Sequence, residues 1–542
     1  MDLSTSAHVD TFARDHLPPA PLWPTIEFTT DALQYPERLN AAVELVDEPA
    51  RRFGDDAPAL RSPDGSVWTY GELRRRSNQV AQVLVEDLGL VPGNRVLLRS
   101  PNNPWTVAAW LGVLKAGGVV VTTMAALRAR ELEPIVARTR PQIALVDHRF
   151  ADDVVAVKEL SAPDLTIVTY GAGTDDLVHR AERKSGAFVA VETAADDVAL
   201  LGPTSGSTGV PKITMHFHRD ILSIDNTFGR ELRLGPGDVV ACTAPLAFTF
   251  GLGMLVVFAL RAGACSLLTE MATPGQLADL VGEHKVTVLA TAPTAYKQIV
   301  KAGKVEQLKQ LRAAVSAGEH IQLGVWEEIR DAIGLEVIDG IGATEMLHIF
   351  ISTVGHPTRP GATGKPLPGY RATILGADGE PVPPGEEGRL AVIGPVGCRY
   401  LDDARQMDYV VNGWNVTGDT FRVDADGYFF YCARTDNMIV SSGYNIGAPE
   451  VEAALDDHPD VVECAVVAKP DPERGSIVCA FVVLREGVAG GPAKSKEIQD
   501  FVKTQIAPYK YPREVRFVDA LPRNASGKLQ HFRLRQALEA AK

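Results

Sequence analysis

The sequence predicts an α/β protein with doubly wound sheets, a β-rich stretch, and a further compact αβ unit toward its C-terminal end. Three observations carry this. Short, almost uninterrupted apolar runs alternate with helical segments over 95–170 and again over 239–337, the pattern of parallel strands covered on both faces. From 361 to 431 the texture changes to short strands between Gly/Pro turns such as Gly376-Ala377-Asp378-Gly379 and Pro383-Pro384-Gly385. Past Arg434 strand and helix alternate again for about a hundred residues.

In order, Val96-Leu97-Leu98 reads as a strand, 105–115 as a helix, Val119-Val120-Val121 as a strand and 130–138 as a helix. Ile143-Ala144-Leu145-Val146 then reads as a strand, 153–160 as a helix and Thr166-Ile167-Val168 as a strand. Helices between strands this apolar must cover both sheet faces, which is the doubly wound arrangement. The second series includes Val286-Thr287-Val288-Leu289 and Glu336-Val337-Ile338. The most apolar run, 252–260, has nine residues and ends at Arg261, well short of the roughly 20 that span a bilayer. It reads as a core helix or strand. There is no internal repeat and no low-complexity segment.

At 542 residues the chain has room for three to four folded units at about 150 residues each. Its 54 Lys+Arg against 68 Asp+Glu give a formal charge of −14, which argues against a broad phosphate-neutralising surface and so against nucleic acid as a partner. The six cysteines (Cys242, Cys265, Cys398, Cys432, Cys464, Cys479) never fall in a C-x-x-C spacing, which removes zinc ribbons and thioredoxin-like motifs and leaves buried thiols in a reducing compartment. The first residues, Met1-Asp2-Leu3-Ser4-Thr5-Ser6, lack the basic and apolar regions of a signal peptide. The expectation is a cytoplasmic protein with no membrane partner.

The most informative segment is Thr204-Ser205-Gly206-Ser207-Thr208-Gly209-Val210-Pro211-Lys212. Its glycines let the backbone turn and offer N–H groups, its hydroxyls add donors, and Lys212 adds a charge; together these cradle a polyphosphate. Composition alone also fits a solvated Ser/Thr/Gly linker. It is no Walker A loop, since Val210-Pro211 separates Gly209 from Lys212.

Four further segments follow in order: Gly340-Ile341-Gly342-Ala343-Thr344-Glu345; Thr417-Gly418-Asp419; Arg434-Thr435-Asp436 with Ser442-Gly443-Tyr444-Asn445-Ile446; and Pro522-Arg523-Asn524-Ala525-Ser526-Gly527-Lys528. Five such motifs over more than 300 residues resemble the signature set of the adenylate-forming superfamily, which contains acyl- and aryl-CoA synthetases, peptide-synthetase adenylation domains and luciferases. The resemblance implies a large N-terminal domain, 1–435, holding the ATP and acid sites, and a small mobile C-terminal α+β domain, 436–542, carrying the catalytic Lys528. It implies ATP, Mg2+ and CoA as cofactors and co-substrates.

The residue types suit those roles. Activating a carboxylate with ATP brings two anions together, so the site must neutralise charge on the α-phosphate as pyrophosphate leaves. The resemblance gives Thr344 and Lys528 that work, Glu345 the magnesium, Asp339, Gly318, Glu319 and Ile341 the adenine, and Asp419 and Arg434 the ribose. A lone Glu suffices where phosphates complete the magnesium shell, and a carboxylate such as Asp419 can accept from two vicinal hydroxyls. Asp436 matches the family's hinge, and Gly443 with Tyr444 the strand beside CoA.

The acid pocket is expected from Phe248, Thr249, Phe250, Ala317, His348 and Ile349; Phe258 is read as plain core. Met346-Leu347-His348-Ile349-Phe350 resembles benzoate-type aryl-CoA ligases, whereas 436–446 and Ala7-His8-Val9-Asp10-Thr11-Phe12-Ala13-Arg14 are more similar to 2-aminobenzoate-CoA ligases. One departure is Val440, where many relatives carry a Lys. The implied reaction is ATP-dependent ligation of 2-aminobenzoate or a related benzoate to CoA through an aryl adenylate. Three alternatives stand beside it: a benzoate or salicylate CoA ligase, a free-standing enzyme that adenylates an aryl acid for a carrier protein, and a non-catalytic nucleotide-binding regulator.

Overall fold

The computed structural model describes residues 3–540 except 205–210, 435–437, 442–443, 472–473, 507–509, 524–526 and 528. The chain forms two compact units, one of residues 1–372 with 392–416 and one of 373–391 with 417–542. The boundary expected at 436 falls outside the described residues. Among those described, no helix is long and apolar enough to cross a membrane.

Among the described residues the large unit contains a six-stranded and a nine-stranded sheet and part of a five-stranded one. The six-stranded sheet runs in the order Thr166–Tyr170, Ile143–Asp147, Arg95–Arg99, Val119–Thr123, Val198–Thr204, Lys212–Phe217. All pairs are parallel except the last, an antiparallel hairpin. Every residue of Arg95–Arg99, Val119–Thr123 and Ile143–Asp147 is buried, as expected of strands with helices on both sides. Helix Pro104–Lys115 covers them. It starts where Asn103 accepts from the Thr106 N–H at 3.0 Å and Pro104 takes the first turn. Its Lys115 is buried against Asp47 (2.8 Å) and Asn78 (2.7 Å).

The nine-stranded sheet has a parallel centre, with Val337–Gly342 beside Ala313–Ser316 and then antiparallel to Ile349–Ser352. The run at 252–260 is helical: Thr249–Leu252, a π-helical Gly253–Phe258 and Ala259–Arg261. It is apolar all round, so periodicity alone left its type open.

In the small unit, Val461–Asp471 pairs antiparallel with Gly475–Leu484, which runs parallel to Glu514–Phe517. Alternate residues serve two cores: Val466, Val478, Ala480 and Val482 face one cluster, and Ala465, Val467, Cys479 and Phe481 the other. This is the two-residue period of a sheet covered on both faces. The thiols divide differently from expectation. Cys432 and Cys464 are half-buried at strand positions, while the other four are buried.

One buried ion pair fixes an edge of the six-stranded sheet. Arg399 and Asp220 are both fully buried and 2.8 Å apart, with the guanidinium 4.1 Å from the Phe217 ring centre. The pair anchors 399–401 along Lys212–Phe217, where Met215 donates to the Arg399 carbonyl and Leu401 to that of Ile213. Asp220→Ala should therefore lower unfolding free energy by about 3–5 kcal/mol, because it strands a buried cation, and adding Arg399→Met should restore most of it. Denaturant midpoints of the two variants measure this. A double variant no more stable than the single would show that the ion pair is not the determinant.

Candidate active site

Strands Val198–Thr204 and Lys212–Phe217 pair Thr204 with Lys212, the two residues that bound the Gly-rich segment. Its residues Ser205, Gly206, Ser207, Thr208 and Gly209 lie outside the described residues. On the outgoing strand Lys212, Thr214 and His216 share one face by alternation, and that face meets the turn Thr344–Met346. Lys212 Nζ donates to the Tyr400 hydroxyl at 2.8 Å, Tyr400 donates to Glu345 Oε1 at 2.5 Å, and Lys212 Nζ lies 3.4 Å from the same carboxylate. Glu345 is only 8% exposed; a carboxylate so enclosed needs such partners.

His216 Nε2 is 2.8 Å from the Thr344 carbonyl. That contact requires the Nε2–H tautomer, because a carbonyl only accepts. Burial pushes its pKa down to about 4, so the ring is neutral. Among the described residues no three carboxylates, histidines or cysteines group as a metal cage. A single carboxylate instead fits a magnesium ion that takes its other ligands from phosphates and water.

Asp339 stands on the strand that continues into this turn. It lines a cavity with Ile321, Trp326, Thr353, Arg359 and Pro360. Burial pushes its carboxyl up to about 7, against the opposing pull of the Gly340 N–H. The glycines beside it have a steric reason. A Cβ at Gly340 would stand 2.8 Å from Ile349 Cγ2, and one at Gly342 2.6 Å from the His348 carbonyl oxygen. Ile341 pairs with Ile351 between them. Ala317 is buried after the neighbouring strand Ala313–Ser316. Gly318 follows at φ +90°, in the left-handed region, and Thr294 donates to Glu319 at 3.4 Å.

The chain then reaches His348 through Leu347 at φ +65°, a costly conformation for a non-glycine residue. His348 is 2% exposed. It stacks on Phe250 at 5.5 Å, meets Phe258 edge-on at 4.7 Å and lies 5.3 Å from Phe228. Among the described residues neither ring nitrogen has a hydrogen-bond partner. Burial drives the pKa to about 3, the nearby Phe250 main chain opposing weakly. Phe248 and Thr249 are half-buried at the start of the helix carrying Phe250, and Ile349 is buried. Phe258, read as plain core, is fully buried and also forms one wall around His348.

Phe228, His216 and Tyr400 went unnoticed in the sequence. Two-residue spacing from Lys212 could have found His216. Tyr400, 188 residues from Lys212, leaves no such signal. In the small unit Asp419 and Arg434 are register partners on adjacent strands, and Tyr444 begins the strand Tyr444–Gly447. Asp436, Gly443 and Lys528 lie outside the described residues.

Two tests follow from this geometry. Gly253 supports the imidazole: an added Cβ would stand 2.3 Å from His348 Cδ2. Gly253→Ala should cost about 1–3 kcal/mol, with His348→Ala in the same chain recovering stability; an additive loss in the double variant would contradict the contact. Asp339 takes its proton near pH 7 when folded and near 3.8 when unfolded. Between these values the folded state binds more protons, so the stability this group contributes is full below 3.8 and is lost as pH rises through about 7. Melting temperatures at pH 5.5 and 8.5 should show Asp339→Asn gaining on the native protein at the higher pH. A constant difference would contradict the burial effect.

Residues 46–400 match the family model described as AMP-binding enzyme, and residues 450–528 that of the AMP-binding enzyme C-terminal domain. The chain is 34% identical to benzoate–CoA ligase of Thauera aromatica, over 94% of this chain and 98% of that one. Among solved structures it is similar to the anthranilate CoA ligase AuaEII in complex with anthranoyl-AMP, with TM-score 0.87, 30% identity, and coverage of 95% of this chain and 100% of that one. A benzoate CoA ligase from Burkholderia xenovorans LB400 gives TM-score 0.81 at 30% identity, covering 92% and 99% of the two chains. With five ordered motifs, two large α/β sheets and a Lys–Tyr–Glu cluster at the end of the Thr204–Lys212 strand pair, the chain belongs to the AMP-binding enzyme family and carries both its N-terminal and its C-terminal domain.

Proposed function

We propose that the protein is an AMP-forming aryl-acid:CoA ligase whose preferred acid is 2-aminobenzoate or a closely related ortho-substituted benzoate. The observation that carries this reading is the aromatic cage around a neutral, unpartnered imidazole, three residues after Glu345. A flat apolar slot with one polar tip suits an aryl acid. Its similarity to ligases of benzoate and anthranilate supports the same reading.

In the first half-reaction a carboxylate oxygen of the acid bonds to the α-phosphorus of ATP and pyrophosphate leaves. Lys212 and Thr344 stand where they can offset charge on the phosphates, and Lys528 is the family's cation for the same step. Asp339 accepts from the adenine amino group, and Asp419 with Arg434 holds the ribose. Mg2+, held through Glu345 and the phosphates, supplies countercharge when bound. In the second half-reaction the CoA thiol attacks the acyl carbon and AMP leaves with the oxygen it gained. Asp436 is the hinge between the two halves, and the Gly443–Tyr444 segment serves CoA.

A neutral imidazole can donate or accept according to tautomer, so His348 can pair with an ortho amino or hydroxy group. Leaving such a group unpaired in the slot costs roughly 1–3 kcal/mol, and plain benzoate has none to pair. Pyrophosphate release should be measured for benzoate, 2-amino- and 2-hydroxybenzoate, with and without CoA. We expect 2-aminobenzoate to exceed benzoate by about one to two orders of magnitude in kcat/KM, AMP release to require free CoA, and His348→Ala to lose activity on ortho-substituted acids alone. Equal loss on benzoate with a lowered Tm would make His348 structural. Turnover of aliphatic acids above aryl acids would overturn the reading.

A further inference from the structure

We propose that Tyr400 is a positioning residue for nucleotide-bound metal: its hydroxyl fixes the direction of the Glu345 carboxylate and keeps it from collapsing onto Lys212. The proposal rests on the reading of Glu345 as the metal-binding carboxylate and adds a residue that the motifs do not include.

Tyr400 is held from several sides. Its flanking residues extend the edge of Lys212–Phe217 through the Met215–Arg399 and Leu401–Ile213 bonds. Its own N–H donates to Gln406 Oε1 at 2.9 Å, and its neighbour Arg399 is locked to Asp220. The ring is fully buried and meets Tyr409 edge-on at 5.9 Å. The hydroxyl therefore has one place to point.

Its hydrogen bonds define a chain of donors. The Lys212 ammonium donates to the phenolic oxygen, and the phenolic proton goes to Glu345 Oε1. Because an ammonium can only donate, the phenolic oxygen accepts from Lys212 and its one proton is left for the carboxylate. Oε1 is thereby satisfied, and Oε2 has no hydrogen-bond partner among the described residues. Lys212 lies only 3.4 Å from the carboxylate. The two already form an ion pair, but the ammonium's hydrogen bond goes to the phenol; a lysine is a point charge on a flexible stem, and without the rigid phenol it would turn that bond onto the carboxylate and compete with a metal for the same oxygens. Tyr400 supplies direction, whereas Lys212 supplies charge on a flexible stem.

The test uses Mn2+–ATP as the probe, with binding to the full-length protein followed by the electron paramagnetic resonance of free Mn2+, and metal-free ATP binding measured in chelator. Tyr400→Phe should weaken Mn2+–ATP binding roughly tenfold, in line with loss of a charge-assisted hydrogen bond, and leave metal-free ATP within about twofold. Glu345→Gln should also weaken Mn2+–ATP, and Tyr400→Phe added to it should cost nothing more, since Tyr400 acts through Glu345. Should the Phe variant fail to fold, Glu345→Asp, which withdraws the carboxylate from the hydroxyl by one methylene, should show a loss of the same size. Unchanged Mn2+–ATP binding in Tyr400→Phe or Glu345→Asp, or a further tenfold loss on the Glu345→Gln background, overturns the proposal. If Glu345→Gln itself leaves Mn2+–ATP binding unchanged, the metal assignment of Glu345 falls, and this role for Tyr400 falls with it.

Discussion

A carboxylate withdrawn from water must be given partners, and Glu345 imposes that constraint on the large unit. Its hydroxyl partner comes from Tyr400, which reaches the site because 399–401 extends the edge of the six-stranded sheet. That extension depends in turn on a fully buried Arg399–Asp220 pair, since a guanidinium in apolar surroundings is tolerable only with its counter-ion. Its cationic neighbour, Lys212, opens the strand whose His216 holds the Thr344 carbonyl. Elements distant in sequence are thus committed to one geometry by the cost of desolvating a few charges.

The acid side of the site obeys the opposite rule. Around His348 the walls are aromatic and the ring is kept neutral by burial, so under the proposed function recognition there works by shape and one adaptable polar tip rather than by charge. The backbone bends to allow it. Phe228 and Phe258 sit on π-helical stretches, Leu347 adopts a left-handed conformation, and Gly253 leaves room for the imidazole. Irregularities of this kind cost free energy and cluster where a protein shapes a pocket. One turn, 344–348, thereby joins the Lys212–Tyr400–Glu345 cluster to the aromatic surroundings of His348.

What was legible in the sequence follows the same physics. Parallel strands such as Ile143–Asp147 announce themselves because burial on both faces leaves an unbroken apolar run. Thr344-Glu345, Asp339 and Lys212 stood out because they lie in or beside short contiguous motifs that resemble a family's signature set. Tyr400 was not: its place beside Glu345 is decided by strand pairing across 188 residues from Lys212. Phe228 and the π-helical turns were hidden for a related reason. A helix such as 252–260, apolar all round, has no face to betray its period, and the insertion that shifts Phe258 toward His348 is settled by packing. His348 itself was legible as a residue type beside a motif, but its aromatic enclosure was not.

In the proposed reaction the acid is activated by bonding one of its own oxygens to the α-phosphorus of ATP. Turnover of an aryl acid carrying 18O at both carboxylate positions, with CoA and ATP, tests it directly by mass spectrometry of the products. The account predicts one 18O in each AMP, none in pyrophosphate and one retained in the thioester carbonyl. Unlabelled AMP with 18O in inorganic phosphate or pyrophosphate would contradict it, because the acid would then have been activated at a different phosphorus.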